Sequence, residues 1–170
     1  WRTIALSPLS AREGFAAVWA GDRMVVWGGA NEKSGGPNGT AQSNGASYDP
    51  TTDSWTALPA SPLSARYAVA TTVVDHRVFF VGGFSTNADA GCGDGAIYDT
   101  ETGAWTTLPA MPTAHIESAL ATDGAHLFTW GGTLASGLTT SKGYSLDLSA
   151  GTWSSLPASP LVARTRPLGA

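Results

Sequence analysis

Tyr48-Asp49-Pro50-Thr51-Thr52-Asp53-Ser54-Trp55-Thr56-Ala57-Leu58-Pro59-Ala60-Ser61-Pro62-Leu63-Ser64-Ala65-Arg66 is a stretch that this chain repeats. A second copy runs from Tyr98-Asp99 through Trp105 and Leu108-Pro109 to Pro112. A third runs from Leu146-Asp147 through Trp153 and Leu156-Pro157 to Pro160 and Arg164. The chain opens on a truncated copy, with Trp1, Ile4, Pro8 and Arg12 at the same offsets. A Gly-Gly pair follows each tryptophan at a nearly constant distance: Gly28-Gly29, Gly82-Gly83 and Gly131-Gly132. A period of roughly 50 residues means that one supersecondary unit is used several times, each copy burying its apolar face against the next. One copy is shorter: Pro62-Leu63-Ser64-Ala65-Arg66 becomes Pro112-Thr113-Ala114-His115. His115 therefore takes the place held by Arg12, Arg66 and Arg164.

Working outward from the repeat, each unit contains four strand-like runs. The first spans 14–20, 67–74 and 118–122. The second is the most apolar: Met24-Val25-Val26-Trp27, Val78-Phe79-Phe80-Val81 and Leu127-Phe128-Thr129-Trp130. Unbroken β-branched and aromatic residues that stop at Gly-Gly suit a strand buried on both faces. A Gly-rich loop follows, then a third run ending at Tyr48, Tyr98 or Leu146, a tight turn, and a fourth run around the tryptophan. In the turn, Asp49 accepts backbone N–H bonds and Pro50 presets φ. No window carries sustained helical periodicity, so the expected class is all-β, with three four-stranded antiparallel units per chain. The boundaries read as a partial repeat at 1–12, units at 13–55, 66–105 and 115–153, and the start of a further repeat at 154–170.

Composition excludes several functions. The 170 residues are 42% hydrophobic, enough for a core, and only 13% charged, with a net charge of −4. Clustered Lys and Arg, the footprint of a nucleic-acid binder, is absent. No run of ~18 apolar residues predicts a membrane-spanning helix, and the first residues do not read as a basic-then-apolar leader. One cysteine, Cys92, rules out an internal disulfide framework. Few lysines, one cysteine and much Ala, Thr and Gly are compatible with a secreted bacterial protein without requiring one.

The Gly-Gly pair, the Tyr-Asp, the tryptophan six residues beyond that Asp, the Leu-Pro and the later Arg resemble the kelch repeat. The resemblance covers essentially the whole chain. It implies β-propeller blades, with the chain resembling half of a six-bladed ring of the kelch and galactose-oxidase central-domain kind. Three blades are fewer than the roughly 4–8 that close a propeller. The resemblance thus implies either further blades or a second copy of this chain completing the ring, a two-fold homodimer formed by self-assembly.

Antiparallel topology sorts the loops. Those joining second to third strands (30–45, 84–95 and 133–142) leave on the same side as Arg12, Arg66, His115 and Arg164, and in kelch propellers the corresponding face often receives ligands. The arginine positions carry two readings. They form a partial ring of cations for a carboxylate, phosphate or sugar acid, or each ties its own loop to backbone carbonyls. In the loop 87–95, Asn87, Asp89 and Asp94 are weak calcium candidates, since the bidentate Glu of a calcium loop is missing from its place. Cys92 as a nucleophile needs a base, and only His115 shares its face. His76 and His126 belong to the opposite face, so the three histidines predict no metal centre. Asn38-Gly39-Thr40 is a formal glycosylation acceptor.

These readings point to a protein- or glycan-binding scaffold without cofactor, whose ligand face is built from the long loops, rather than to an enzyme. The alternatives are the propeller part of a carbohydrate-active or galactose-oxidase-like enzyme, and a half-propeller, natural or engineered, with a purely structural role. No catalytic constellation can be assembled from the repeated motifs.

Overall fold

The structure, a computed structural model, describes residues 2–31 and 39–165. Trp1, Asn38 of the glycosylation acceptor and the last residues of the 154–170 segment lie outside the described residues. Three four-stranded antiparallel sheets follow one another along the chain. Blade 1 contains β1 (Ala16–Ala20), β2 (Arg23–Trp27), β5 (Gly45–Asp49) and β6 (Ser54–Ala57), in that order from inside to outside. Between β2 and β5 lies a small ribbon, β3 (Ala30–Asn31) with β4 (Thr40–Ala41). Blade 2 contains β7 (Ala70–Val74), β8 (Arg77–Val81), β11 (Gly95–Asp99) and β12 (Trp105–Leu108), with the ribbon β9 (Phe84–Ser85) and β10 (Ala90–Gly91) in its long loop. Blade 3 contains β13 (Ala119–Thr122), β14 (His126–Trp130), β15 (Gly143–Asp147) and β16 (Thr152–Ser155). The inner strands β1, β7 and β13 stand side by side in that order. The three blades form an open arc, and among the described residues no helix is long and apolar enough to cross a membrane.

The alternation of side chains across each pleat assigns one face of a blade to each neighbour. Ala16, Val18, Ala20, Val25 and Trp27 of blade 1 meet Val73, Val78, Phe80, Ala96, Tyr98 and Trp105 of blade 2. Their aromatic rings interlock, Trp27 to Phe80 at 5.4 Å and Phe80 to Trp105 at 5.5 Å. On the far side of blade 2, Ala70, Phe79 and Val81 meet Leu120, Leu127, Leu146 and Trp153 of blade 3. Burying each large side chain in such a layer contributes roughly 1.5–3 kcal/mol. The core therefore lies between sheets rather than inside any one of them, which is why a blade needs neighbours.

Two local features differ from the simple four-run reading. The inner strands begin later than 14, 67 and 118. Gly14, Ala68 and Glu117 stand at equivalent positions in the left-handed region, with φ of 59°, 56° and 55°, and end the extended chain there. Their backbones link the blades: the Ala68 amide donates to the Gly14 carbonyl at 2.8 Å, and the Glu117 amide to the Ala68 carbonyl at 3.2 Å. Each fourth strand also runs past its tryptophan, to Ala57, Leu108 and Ser155.

Candidate functional site

The two ends of the arc's blades are built differently. On one end the third-to-fourth-strand turn is the same in every blade. Asp49 Oδ1 accepts from the amides of Thr51 and Thr52, Asp99 Oδ1 from Glu101 and Thr102, and Asp147 Oδ1 from Ser149 and Ala150. Those donors hold all three carboxyls below the usual carboxylate range. His76 and His126 lie on this end, beside Glu101 at 3.2 Å and Asp123 at 3.1 Å.

The opposite end carries the unequal loops, described over residues 28–31 with 39–44, 82–94 and 131–142, and the four positions Arg12, Arg66, His115 and Arg164. A Gly-Gly pair starts each loop. The Gly29 and Gly83 amides donate to the carbonyls of Arg66 and His115, each across a blade junction, at 2.9 and 3.1 Å. A Cβ on Gly29 would stand 2.8 Å from the Glu13 carbonyl, and the residue's φ is 89°, so only glycine fits this crossing.

Arg66 is 1% exposed, and every guanidinium donor has a partner. Nε donates to the Ser64 carbonyl at 3.0 Å, Nη1 to the Gly82 carbonyl at 3.3 Å and Asp94 Oδ1 at 2.7 Å, and Nη2 to Ser64 Oγ at 2.8 Å and Asp94 Oδ2 at 3.0 Å. The Arg66 bonds hold the Asp94 carboxyl below its ordinary range. Asp94, one of the three calcium candidates, thus has both oxygens on Arg66. Arg12 repeats the scheme with a neutral partner: Nη1 reaches the Gly28 carbonyl at 3.1 Å and Asn44 Oδ1 at 3.0 Å. Arg164 is exposed; its guanidinium donates to the Val162 carbonyl and lies 5.8 Å from the centre of the Trp130 ring.

His115 is 0% exposed and neither ring nitrogen has a hydrogen-bond partner. Burial, and then the charge of Lys142, lowers its pKa from the ordinary histidine value. Its ring lies 5.5 Å from that of Tyr144, whose hydroxyl is 3.1 Å from Thr113 Oγ1. Burial pushes the Cys92 thiol up, which keeps it protonated at neutral pH. Among the described residues, no group of three His, Cys, Asp or Glu side chains converges on a point that could hold a metal ion.

A feature invisible in the repeat spacing ties the blades at their outer edge. Each anchor tryptophan donates its indole N–H to the incoming linker: Trp55 to the Ala5 carbonyl at 2.9 Å, Trp105 to Pro59 at 3.2 Å and Trp153 to Pro109 at 2.9 Å. The acceptor stands four residues after the preceding tryptophan in the second and third cases, and Ala5 holds that offset from Trp1. Each repeat therefore gives a donor to its predecessor and an acceptor to its successor.

The KLHDC2/KLHL20/DRC7 Kelch-repeats domain model matches residues 1–166. The chain belongs to the kelch-repeat family. Among solved structures, the one described as the structure of YjhT matches with a TM-score of 0.77 and 19% sequence identity, over 96% of this chain and 57% of that one. At that identity the likeness shows the fold, a kelch-type propeller. This kelch chain spans little more than half the length of that protein. A comparison with curated proteins gives no match.

Proposed function

We propose that the chain is a kelch interaction scaffold that presents the end bearing the long loops to a protein or glycan partner, in a ring closed by a second copy. One observation carries the choice of surface: the variation between blades is greatest on it. The turn end repeats one Asx turn three times, whereas the loops at 28–44, 82–94 and 131–142 differ in length, ribbon content and side chains. A scaffold keeps what positions its blades and varies what meets the partner. On this surface Arg164 and Lys142 are exposed cations that a partner reaches, while Arg12, Arg66 and His115 shape the loops that meet it.

Ring closure is supported by the ends of the arc. On blade 1, Trp19 is 55% exposed on the face turned away from blade 2, and Phe15 is exposed just before it. Past blade 3, Leu161 is 51% exposed, although Leu63, its repeat equivalent, is 4% exposed inside the first junction. Two apolar ends of this kind complete a closed point group when copies pair head to tail twice.

Light scattering on the purified chain tests closure. The expected mass is twice 17.4 kDa, and a stable species of 17.4 kDa overturns it. For the surface, a partner recovered from a glycan and protein screen should lose binding when loop residues 134–139 are replaced by Gly-Ser, and keep it when Asp99→Ala alters the opposite end. Equal loss in both variants overturns the assignment.

A further inference from the structure

Blade 3 departs from its neighbours at one buried point. In blades 1 and 2 a permanently charged guanidinium fills the linker position and has an oxygen partner at the base of the long loop, Asn44 or Asp94. The amides of Gly28, Gly82 and Gly131 donate to the carbonyls of Asn44, Asp94 and Lys142, which identifies these three as equivalent residues. Blade 3 thus exchanges the guanidinium for an imidazole and its oxygen partner for a cation.

We propose that His115 is an acid-operated release at the junction of blades 2 and 3. Neutral, the ring sits buried against Tyr144 as a flat apolar wedge. Protonated, it becomes a buried cation with two donors and no acceptor on either nitrogen, which the interior does not tolerate. Lys142, whose charge acts on the ring, has the same sign. Among the described residues, no carboxylate is hydrogen-bonded to either ring nitrogen. Tyr144 offers a ring, Cys92 on the blade 2 loop is a neutral thiol, Asp94 is bonded through both oxygens to Arg66, and the Glu117 carboxylate accepts from Thr165 Oγ1 at 2.6 Å. Arg164, on the next linker, is a further cation. Protonation is relieved when the ring leaves its seat. The His115 carbonyl holds the Gly83 amide of blade 2 at 3.1 Å, so movement of this residue opens the loop end between the two blades.

The sign follows from linkage. The folded state holds the neutral ring and the unfolded chain protonates near 6.5. The stability that His115 contributes is therefore fully present above about pH 6.5 and declines as pH falls below it. Asp94 and the turn aspartates, whose folded values are depressed, keep their contribution until pH nears about 4. The interval between separates the two effects.

The test is a pH series from 7.5 to 4.5 on the full chain, reading the thermal midpoint and amide hydrogen exchange at Gly83 and residues 133–142. The expected result is a falling midpoint and about tenfold faster exchange at these amides by pH 5, after correction for intrinsic rates. His115→Phe keeps the ring against Tyr144 and removes the titration; it should show neither change. Lys142→Met should reduce both, and it serves where His115→Phe does not fold. His76 and His126 remain in every variant, so differences between proteins isolate His115. The proposal is overturned if the wild-type chain shows no change at Gly83. It is also overturned if the variants change as much as the wild type, or if NMR shows the His115 ring protonating in a junction that stays protected.

Discussion

Blades 2 and 3 share strand order and register yet fill the same volume in opposite ways. At one position of the second strand blade 2 carries Phe80 and blade 3 carries Thr129; at the facing position of the third strand they carry Ala96 and Tyr144. The large ring has moved from one strand to its paired neighbour. All four side chains are buried. In blade 2 the Phe80 ring packs against Trp27 and Trp105, and the Arg66 guanidinium with its carboxylate occupies the base of the loop. In blade 3 the Tyr144 ring lies against His115, and its hydroxyl reaches Thr113 instead. The missing linker residue is compensated in the same region: Met111 enters the second junction's core as Leu63 enters the first. A repeat therefore conserves volume and register across its copies more strictly than it conserves residues.

Substitutions in both blades and at their junctions press on this comparison. Phe80→Ala and Tyr144→Ala remove the large ring of each pair, and each should cost about 3–5 kcal/mol in chemical denaturation. The double variant Thr129→Phe, Tyr144→Ala rebuilds the blade 2 pattern in blade 3 and should recover part of that loss. No recovery would break the claim that the two blades exchange volume. Arg66→Met comes next. It strips the partner from a half-exposed Asp94 and leaves the Gly82 carbonyl unpaired, an expected loss of about 2–3 kcal/mol. Adding Asp94→Asn should restore part of it, because an uncompensated charge is then removed. The smallest effect is expected from Trp105→Phe, which keeps the aromatic packing on Tyr98 and Phe80 but deletes the bond to the Pro59 carbonyl. That bond is worth about 1 kcal/mol, and a loss as large as that of Phe80→Ala would show that the outer clip, not the interlocked rings, dominates the junction.

Much of the architecture was legible because its signals are local and repeated. Gly-Gly after an apolar run, Asp before a tight turn and a tryptophan at constant offset each report the conformation of a few neighbouring residues, and three copies make the pattern consistent. The left-handed bends at Gly14, Ala68 and Glu117 were not legible, since only the first is a glycine and the other two are held by bonds from the adjacent blade. The candidate site was legible as a list of positions and a shared end. Which arginine is saturated and which is open depends on Asp94, Asn44 and Trp130, residues far away in sequence. Tyr144 pairs with Thr129, two residues before the position that Tyr48 and Tyr98 hold and Leu146 takes in blade 3.

The sequence by itself determined that this protein is a row of antiparallel four-stranded kelch blades, in what order their four main strands follow, and which loops share an end. Strand propensity, turn chemistry and period depend on neighbours along the chain, and the chain states them openly. The tertiary structure alone decided that Arg66 is enclosed, that His115 is buried without a partner, and that one tryptophan N–H per blade fastens the preceding linker. Those outcomes depend on the volume and polar atoms contributed across a blade junction by residues some 30–50 positions away, a sum that no local pattern records.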